Sequence, residues 1–270
     1  MSVPNFPPSP NKDLSHAVVS VVVPVFNEAA KIIDNLDLLI SEIEDHFLQF
    51  EIIVVSDGST DGTNLTLARF QDPNVRFKIV SQNQGKGHAV REGFKEARGD
   101  YIFFIDGGME LHPKELKIFI GLMSLYNADI VIGSKRHPQS RVFYPWYRRF
   151  LSALFQKLIH LLFKIDVSDT QVGIKLFKRQ VLQDVLPHLE INRYGFDLEI
   201  LSLANMFGHT EILEAPIRLD YFVQSRNIVR DLTHVVKVGT SLLVDTIKLY
   251  FKLKKLRSQL NLKAKTGTAP

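Results

Sequence analysis

The sequence predicts an α/β fold in which a mostly parallel central sheet is flanked by helices. Short runs of apolar, β-branched residues, such as residues 18–23 and 51–55, are typical of strands that are buried on both faces. Stretches with helical spacing of apolar residues alternate with these runs, as they do in β-α-β units. Small polar and acidic residues follow the strand ends, which is where open α/β sheets bind their ligands.

The strands are expected where short runs of β-branched or aromatic residues are bounded by turn residues. These runs are residues 18–23, 51–55, 75–80, 101–105, 129–132 and 211–219, and residues 169–178 form a loop that feeds a further short strand. Pro24 is expected to end the first strand. Pro216 interrupts the last one, which makes it an edge strand.

The helices are expected where apolar residues recur every three or four positions. They are residues 28–47, 64–70, 89–97, 143–164, 196–207 and 228–256, with another that Pro113 opens. Asn27 is expected to cap the first helix. Residues 1–16 contain four prolines and are expected to form a disordered arm. We therefore predict a main domain at residues 17–227 and a C-terminal amphipathic helix with a basic tail at residues 228–270.

The composition limits the chemistry of any site. The chain has 270 residues, of which 45% are hydrophobic, enough to bury a sizeable core. It contains no cysteine, which excludes disulfides, thiol nucleophiles and thiolate metal sites. A metal ion would have to be held by oxygen or imidazole, which favours Mg or Mn over structural Zn.

The charge is distributed unevenly along the chain. Seven of the 33 basic residues follow Asp245, where there is no acidic residue, so the preceding chain carries 26 basic against 29 acidic residues. Such a tail suits an anionic membrane surface or a nucleic acid, and a solvated helix end explains it equally well. No stretch resembles a signal peptide or approaches the ~20 apolar residues of a membrane span, so we expect a cytoplasmic location.

A basic glycine turn precedes a carboxylate at a strand end. Gly85, Lys86 and Gly87 form a tight turn before the helix at residues 89–97, and Asp106 follows the strand at residues 101–105. Both features belong to one loop-helix-strand unit. This combination suits a phosphorylated ligand that binds together with a metal ion.

The predicted helix at residues 143–164 is basic and amphipathic. One stripe is polar, and the other positions are largely leucine and phenylalanine; the stripe comprises Arg149, Ser152, Gln156, His160 and Lys164. Such a helix either lies in a membrane interface or packs on the core with its basic stripe in water.

Six motifs in the correct order resemble the inverting family 2 glycosyltransferases with the GT-A fold. They are Val23-Pro24-Val25-Phe26-Asn27-Glu28, residues 57–63 (DGSTDGT), Asn83-x-Gly85-Lys86-Gly87, Gly99-Asp100-Tyr101 through Asp106, Asp169-Thr170-Gln171-x-Gly173-x-Lys175-x-Phe177 and Gly195-Phe196-Asp197-x-Glu199. The last two resemble the polyprenyl-phosphate sugar synthases, which include the dolichyl-phosphate mannose and glucose synthases. The resemblance extends over roughly residues 18–231.

This resemblance implies a donor site for a UDP- or GDP-hexose, with glucose and mannose both open. Contacts to the nucleotide sugar would come from Pro24, Asn27, Glu28, Asp57, Lys86, Gln171 and Arg226. Asp106 would bind a divalent cation, Mg or Mn. The family's Asp-x-Asp pattern is broken here by Gly108, and Glu110 is expected to supply the second carboxylate.

The resemblance also implies an acceptor that is a polyprenyl (dolichyl-type) phosphate at the cytoplasmic membrane face. Arg136, Arg149 and Ser152 would hold its phosphate, and the amphipathic helices would contact the membrane; no nucleic acid is expected as a partner. Asp106, Glu110, Arg136 and Asp197 are the predicted catalytic residues. A phosphate acceptor needs no general base, whereas a hydroxyl acceptor would need Asp197 or Glu199 as the base. A third alternative, prompted by Gly108, is a non-catalytic protein that binds nucleotide sugars.

Overall fold

A computed structural model describes residues 17–143, 146–220 and 228–266. The strands are β1 (Val18–Val25), β2 (Gln49–Asp57), β3 (Val75–Val80), β4 (Tyr101–Ile105), β5 (Ile130–Ser134), β6 (Arg141–Phe143), β7 (Ile174–Lys178), β8 (Ile212–Pro216) and β9 (Arg218–Asp220). The helices are α1 (Ile32–Glu44), α2 (Thr63–Leu67), α3 (Lys86–Glu96), α4 (Leu116–Tyr126), α5 (Trp146–Phe163), α6 (Arg179–Val185), α7 (Phe196–Met206) and α8 (Ile228–Thr266). The expected arm at residues 1–16 lies outside the described residues.

The central sheet has the strand order β3-β2-β1-β4-β7-β5-β8 and is flanked by helices on both faces, which confirms the predicted fold class. Its strands pair in parallel, except that β7 runs antiparallel to β4 and to β5. Strands β6 and β9 form a separate pair. The direction of β7 was not predicted, because a short apolar run is the same in either direction.

Successive side chains of the strands fill two apolar cores, one on each face of the sheet. In β1, Val21 and Val23 pack with α1 and α4, whereas Val22 packs with α3 and α7 on the other face. This division follows from the two-residue period of a strand. Both faces are covered, which explains the nearly continuous apolar runs of β1 and of residues 52–55 in β2.

Two predictions near the end of β1 were wrong. Pro24 does not end the strand: it pairs with Val55 of β2, and its carbonyl accepts a hydrogen bond from the Gly107 amide at 3.2 Å. A proline lacks only a donor, so it can still accept. Asn27 does not cap a helix: its φ is 58°, and α1 begins only at Ile32.

The C-terminal helix α8 packs against the rest of the chain. Leu249 and Leu253 are buried in the same core as α3 and α7, and the ring of Tyr250 meets Phe163 of α5 at 6.5 Å. Residues 257–266 extend the helix beyond its predicted end at residue 256. Within the part of the chain that the structure describes, no helix combines the length and the apolar character needed to cross a bilayer.

Candidate active site

A cleft of about 450 Å³ opens at the carboxyl ends of β1, β2 and β4, beside the start of α3. It lies where parallel strands present their loops, as expected for an α/β sheet. The cleft brings together several of the sequence-predicted residues, namely Pro24, Glu28, Asp57, Lys86, Asp106 and Glu110. Arg193 and Tyr194 also line it and were missed. The only sequence signal for them was their position directly before the Gly195-Phe196 motif.

Asp57 holds the glycine turn that forms one wall of the cleft. Its two carboxylate oxygens accept hydrogen bonds from the amides of Gln84 at 3.1 Å and Gly85 at 2.7 Å. Gly85 has a φ of 108°, a conformation that suits glycine. Each carboxylate oxygen retains a second lone pair, so the predicted contact to a base or ribose stays a prediction.

The loop after β2 is tied to the end of β1. The side-chain oxygen of Asn27 accepts a hydrogen bond from the Thr60 amide at 2.8 Å, and Asp61 accepts one from the Ala29 amide at 3.0 Å. The hydroxyl of Thr63, also bonded to Asp61, lowers the pKa of that carboxyl. These bonds hold the loop after β2 against the end of β1. They also occupy the side-chain oxygen of Asn27 within the protein.

Asp106 and Lys86 form an ion pair on the floor of the cleft. The Lys86 ammonium lies 2.6 Å from Oδ1 and 2.9 Å from Oδ2 of Asp106, and 5.1 Å from the centre of the Phe104 ring. Burial lowers the pKa of Lys86, but the carboxylates of Asp106 and Asp197 outweigh this and raise it above its ordinary value. Lys86 therefore stays a cation, as contact with a diphosphate requires.

Asp106 and Glu110 are the two residues of the cleft that we expect to bind a divalent cation. Asp106 and Glu110 line the same cleft and offer hard oxygen ligands, which suit Mg²⁺ or Mn²⁺. Across the described residues, no three His, Asp or Glu side chains are grouped to hold an ion by themselves. Two carboxylates completed by diphosphate oxygens and water are the usual arrangement for Mg²⁺, so the residues fit a cation that arrives with its nucleotide.

Glu28 faces the position where the carboxylate is missing. A Cβ built on Gly108 would lie 3.5 Å from Oε1 of Glu28, an ordinary contact distance. Burial raises the pKa of Glu28; Lys31 opposes the shift, and the carboxylates of Asp61 and Glu110 add to it.

A second Lys–Asp pair lies beneath the cleft. The Lys175 ammonium contacts Oδ1 of Asp197 and donates a hydrogen bond to the Val172 carbonyl at 2.5 Å. The side chains of Lys175 and Asp197 are only 1% and 4% exposed. Burial lowers the pKa of Lys175 and raises that of Asp197.

Asp197 and Glu199, the two carboxylates considered as bases, are both buried in this structure. Asp197 is buried against Lys175 and is not among the cleft-lining residues. Glu199 is fully buried, where it accepts hydrogen bonds from the amides of Glu190 and Ile191 and pairs with Lys252 of α8 at 2.8 Å. Both are occupied in joining α7 to its neighbours, since a buried carboxylate needs partners.

The predicted acceptor residues are only partly described. The Arg136 guanidinium donates a hydrogen bond to the Ser152 hydroxyl at 3.2 Å, so two of the predicted residues come together. Arg226 and the side chain of Arg149 lie outside the described residues. The side-chain nitrogen of Gln171 is buried and has no hydrogen-bond partner among the described residues.

The sequence matches one family model and many characterised relatives. Residues 20–186 match the model of glycosyl transferase family 2. A dolichyl-phosphate beta-glucosyltransferase of Trichomonas vaginalis is 30% identical over 251 residues, which cover 88% of this chain and 73% of that protein. The proteins of the same name from Saccharomyces cerevisiae and Homo sapiens are 31% and 32% identical, with 77% and 76% of this chain and 68% and 67% of theirs covered.

The fold is also similar to that of a solved enzyme. Glucosyl-3-phosphoglycerate synthase from Mycobacterium tuberculosis, in a complex with Mn²⁺, UDP and glucosyl-3-phosphoglycerate, superposes with a TM-score of 0.66 at 21% identity. The match covers 88% of this chain and 81% of that one. At this identity the likeness shows the fold alone.

Proposed function

The chain belongs to glycosyl transferase family 2, and we propose that it transfers glucose from a nucleoside-diphosphate sugar to a dolichyl-type phosphate. It is a hexosyltransferase of the branch that contains the dolichyl-phosphate sugar synthases. The observation that carries the proposal is the meeting of Lys86, Asp106 and Glu110 in one cleft at the strand ends. The relatives are named glucosyltransferases, so they favour glucose over mannose, and we propose UDP as the nucleotide of the donor.

In the proposed donor complex, Asp106 and Glu110 hold a divalent cation. When bound, this ion would stabilise the negative charge on the leaving diphosphate. Lys86, which lines the cleft, adds positive charge at the diphosphate; the resemblance gives Arg226 the same role and gives Gln171 a contact with the sugar. The base and ribose lie against Pro24, Glu28 and Asp57, which line the cleft, and near Asn27, whose side-chain oxygen is already bonded to the Thr60 amide. A solved enzyme of the same fold holds Mn²⁺ and UDP, the same kind of donor complex that we propose here.

The proposed reaction is a single in-line displacement with inversion. An oxygen of the acceptor phosphate forms a bond to the anomeric carbon, while the bond from that carbon to the donor diphosphate breaks. A phosphate monoester is already anionic near neutral pH, so no base has to take a proton from it. Burial of both Asp197 and Glu199 supports this acceptor over a hydroxyl. Arg136, with Ser152 beside it and Arg149 on the same helix, would hold the phosphate.

The proposed acceptor is a lipid, and helices α5 and α8 suit a membrane surface. Their exposed apolar residues include Phe150, Leu154 and Leu161 on α5 and Ile247 and Phe251 on α8. Lysines of the basic tail lie on α8, where they would attract anionic headgroups. We propose that this contact is made at the cytoplasmic membrane face, in line with the cytoplasmic location expected from the sequence.

Turnover with defined donors and acceptors tests the proposal. The full chain is incubated with Mn²⁺, dolichyl phosphate in vesicles and either UDP-glucose or GDP-mannose, and nucleotide release and labelled lipid are measured. We expect UDP and a glucosyl lipid, with the β anomer as the product of inversion from an α donor. Transfer to a glycolipid hydroxyl but not to dolichyl phosphate would instead establish the hydroxyl-acceptor alternative.

Vesicle flotation tests the membrane contact separately. The double variant Leu154→Ser/Leu161→Ser should float with anionic vesicles less than the native chain does. A matched control is Leu65→Ser on α2, because Leu65 is 70% exposed and lies outside these helices. Equal flotation of all three proteins would refute a contact through α5.

A further inference from the structure

The Asp106 carboxylate rests directly on the backbone of Gly173. A Cβ built on Gly173 would lie 2.5 Å from Cγ of Asp106 and closer still to its Oδ2, so it would overlap the carboxylate. The Gly173 carbonyl also accepts a hydrogen bond from the Asp106 amide at 3.0 Å. Gly173 is not in the left-handed region of φ, so what matters at this position is the missing side chain rather than backbone freedom.

Lys175 holds the backbone at residues 172–173 in place through a hydrogen bond. Its ammonium donates to the carbonyl of Val172, the residue before Gly173, and is itself held by Asp197 at the start of α7. Lys175 also pairs in register with Phe104, which lies two residues before Asp106 on the neighbouring strand. One buried ammonium therefore connects the loop under Asp106 to the first turn of α7.

We infer that Gly173 and Lys175 are positioning residues that orient the Asp106 carboxylate for the donor complex. Gly173 leaves the space in which the carboxylate lies, and Lys175, anchored by Asp197, keeps the backbone at residues 172–173 in place. Neither residue lines the cleft. Both act through Asp106, so this inference rests on the proposed function, in which Asp106 binds the cation that accompanies the nucleotide.

The first test is Gly173→Ala. The added methyl group should push the carboxylate aside and weaken Mn²⁺-dependent UDP binding by about 10- to 100-fold, the usual effect of disturbing the support of a metal ligand. Calorimetry of UDP binding with and without Mn²⁺ measures this without turnover. The matched control is Gly121→Ala on α4, where an added Cβ would meet nothing within 4 Å.

The second test removes the buried pair without leaving a lone charge. In Lys175→Met/Asp197→Leu, apolar groups of similar size replace both partners, so folding should be retained. We expect a normal thermal transition, but Mn²⁺-dependent UDP binding about tenfold weaker than in the native chain. In single-turnover assays, the rate at saturating donor should fall as well, because a misdirected carboxylate supports the leaving group poorly.

The outcomes separate this inference from the proposed function. Mn²⁺-dependent UDP binding by the native chain, with equal binding by a folded Gly173→Ala variant, would overturn the role of Gly173 alone. Native-like binding by the folded double variant would overturn the role of Lys175. A native chain that binds no UDP under any condition would overturn the proposed function, and the inference with it.

Discussion

Two Lys–Asp pairs lie near the same aromatic ring and differ sharply in their access to water. The ammonium groups of Lys86 and Lys175 lie 5.1 Å and 5.7 Å from the centre of the Phe104 ring. The side chains of Lys86 and Asp106 are 28% and 38% exposed, whereas those of Lys175 and Asp197 are 1% and 4% exposed. The first pair faces the cleft, and the second lies beneath it.

This difference in exposure gives the two ion pairs different roles. A hydrated ion pair contributes about 0–1 kcal/mol, so an incoming cation or diphosphate can displace the Lys86–Asp106 contact at little cost. A buried pair is expensive to break, because the remaining partner keeps its charge without water. The pair in the cleft is therefore suited to exchanging partners, and the buried pair to holding the framework.

Removing one buried partner should have the largest effect on stability. We expect Lys175→Met to lower the free energy of unfolding by about 3–5 kcal/mol, because Asp197 is left buried without its cation. Urea denaturation measures the change. The double variant Lys175→Met/Asp197→Leu should recover most of the loss, and a single variant as stable as the native chain would contradict the view that this pair holds the framework.

Breaking the pair in the cleft should affect turnover far more than stability. We expect Asp106→Asn to reduce the transfer rate by about 10²- to 10³-fold, because charge on the leaving diphosphate loses its support. Its free energy of unfolding should change by less than about 1 kcal/mol. The matched control is Asp129→Asn, which removes a carboxylate that is 21% exposed, lies 3.3 Å from Lys178 and is outside the cleft. Equal activity losses in the two variants would refute the assignment of Asp106.

Adding the missing carboxylate should make the cleft a stronger cation site. Gly108→Asp has room, since the nearest atom to an added Cβ is Oε1 of Glu28 at 3.5 Å. We expect Mn²⁺-dependent UDP binding to tighten by about tenfold, while binding without Mn²⁺ weakens because the new carboxylate repels the diphosphate. Calorimetry of the native chain should already show binding that depends on Mn²⁺. If only the variant shows it, Asp106 and Glu110 do not suffice.

The meeting of residues in the cleft could be predicted, but their partners could not. Lys86 begins α3, after the turn that follows β3, and Asp106 directly follows β4. The carboxyl ends of parallel strands lie at the same edge of a sheet, so the order of the elements predicts that these two residues are close. Asp197 and Glu199 were recognised as acids at the start of α7. Their burial depends on Lys175 and Lys252, which lie 22 and 53 residues away along the chain. The contact of Gly173 with Asp106 likewise requires that β7 be known to lie beside β4.

A third lysine–carboxylate cluster, on the surface, should show the smallest effect. Glu92 on α3 pairs with Lys95 at 2.5 Å and with Lys78 at 2.9 Å. Burial alone would raise the pKa of Glu92, but the hydrogen bonds from Lys95 and Lys78 outweigh it and lower the pKa from 4.5 to about 2. Both lysines are partly hydrated, at 53% and 33% exposed, so we expect Glu92→Gln to cost only about 1 kcal/mol near neutral pH.

The pH dependence distinguishes this contribution from a loss of packing. Because the folded pKa lies below the unfolded one, the stabilisation is complete above about pH 4.5 and is lost as the pH falls toward 2. The difference in unfolding free energy between the native chain and Glu92→Gln should therefore shrink with acid below about pH 4.5. The exposed Glu44 of α1 provides the control variant Glu44→Gln. A difference that stays constant from neutral to acidic pH would mean that Glu92 acts through packing. Exposure to water would then not explain why the buried Lys175–Asp197 pair contributes more to stability than the hydrated pairs.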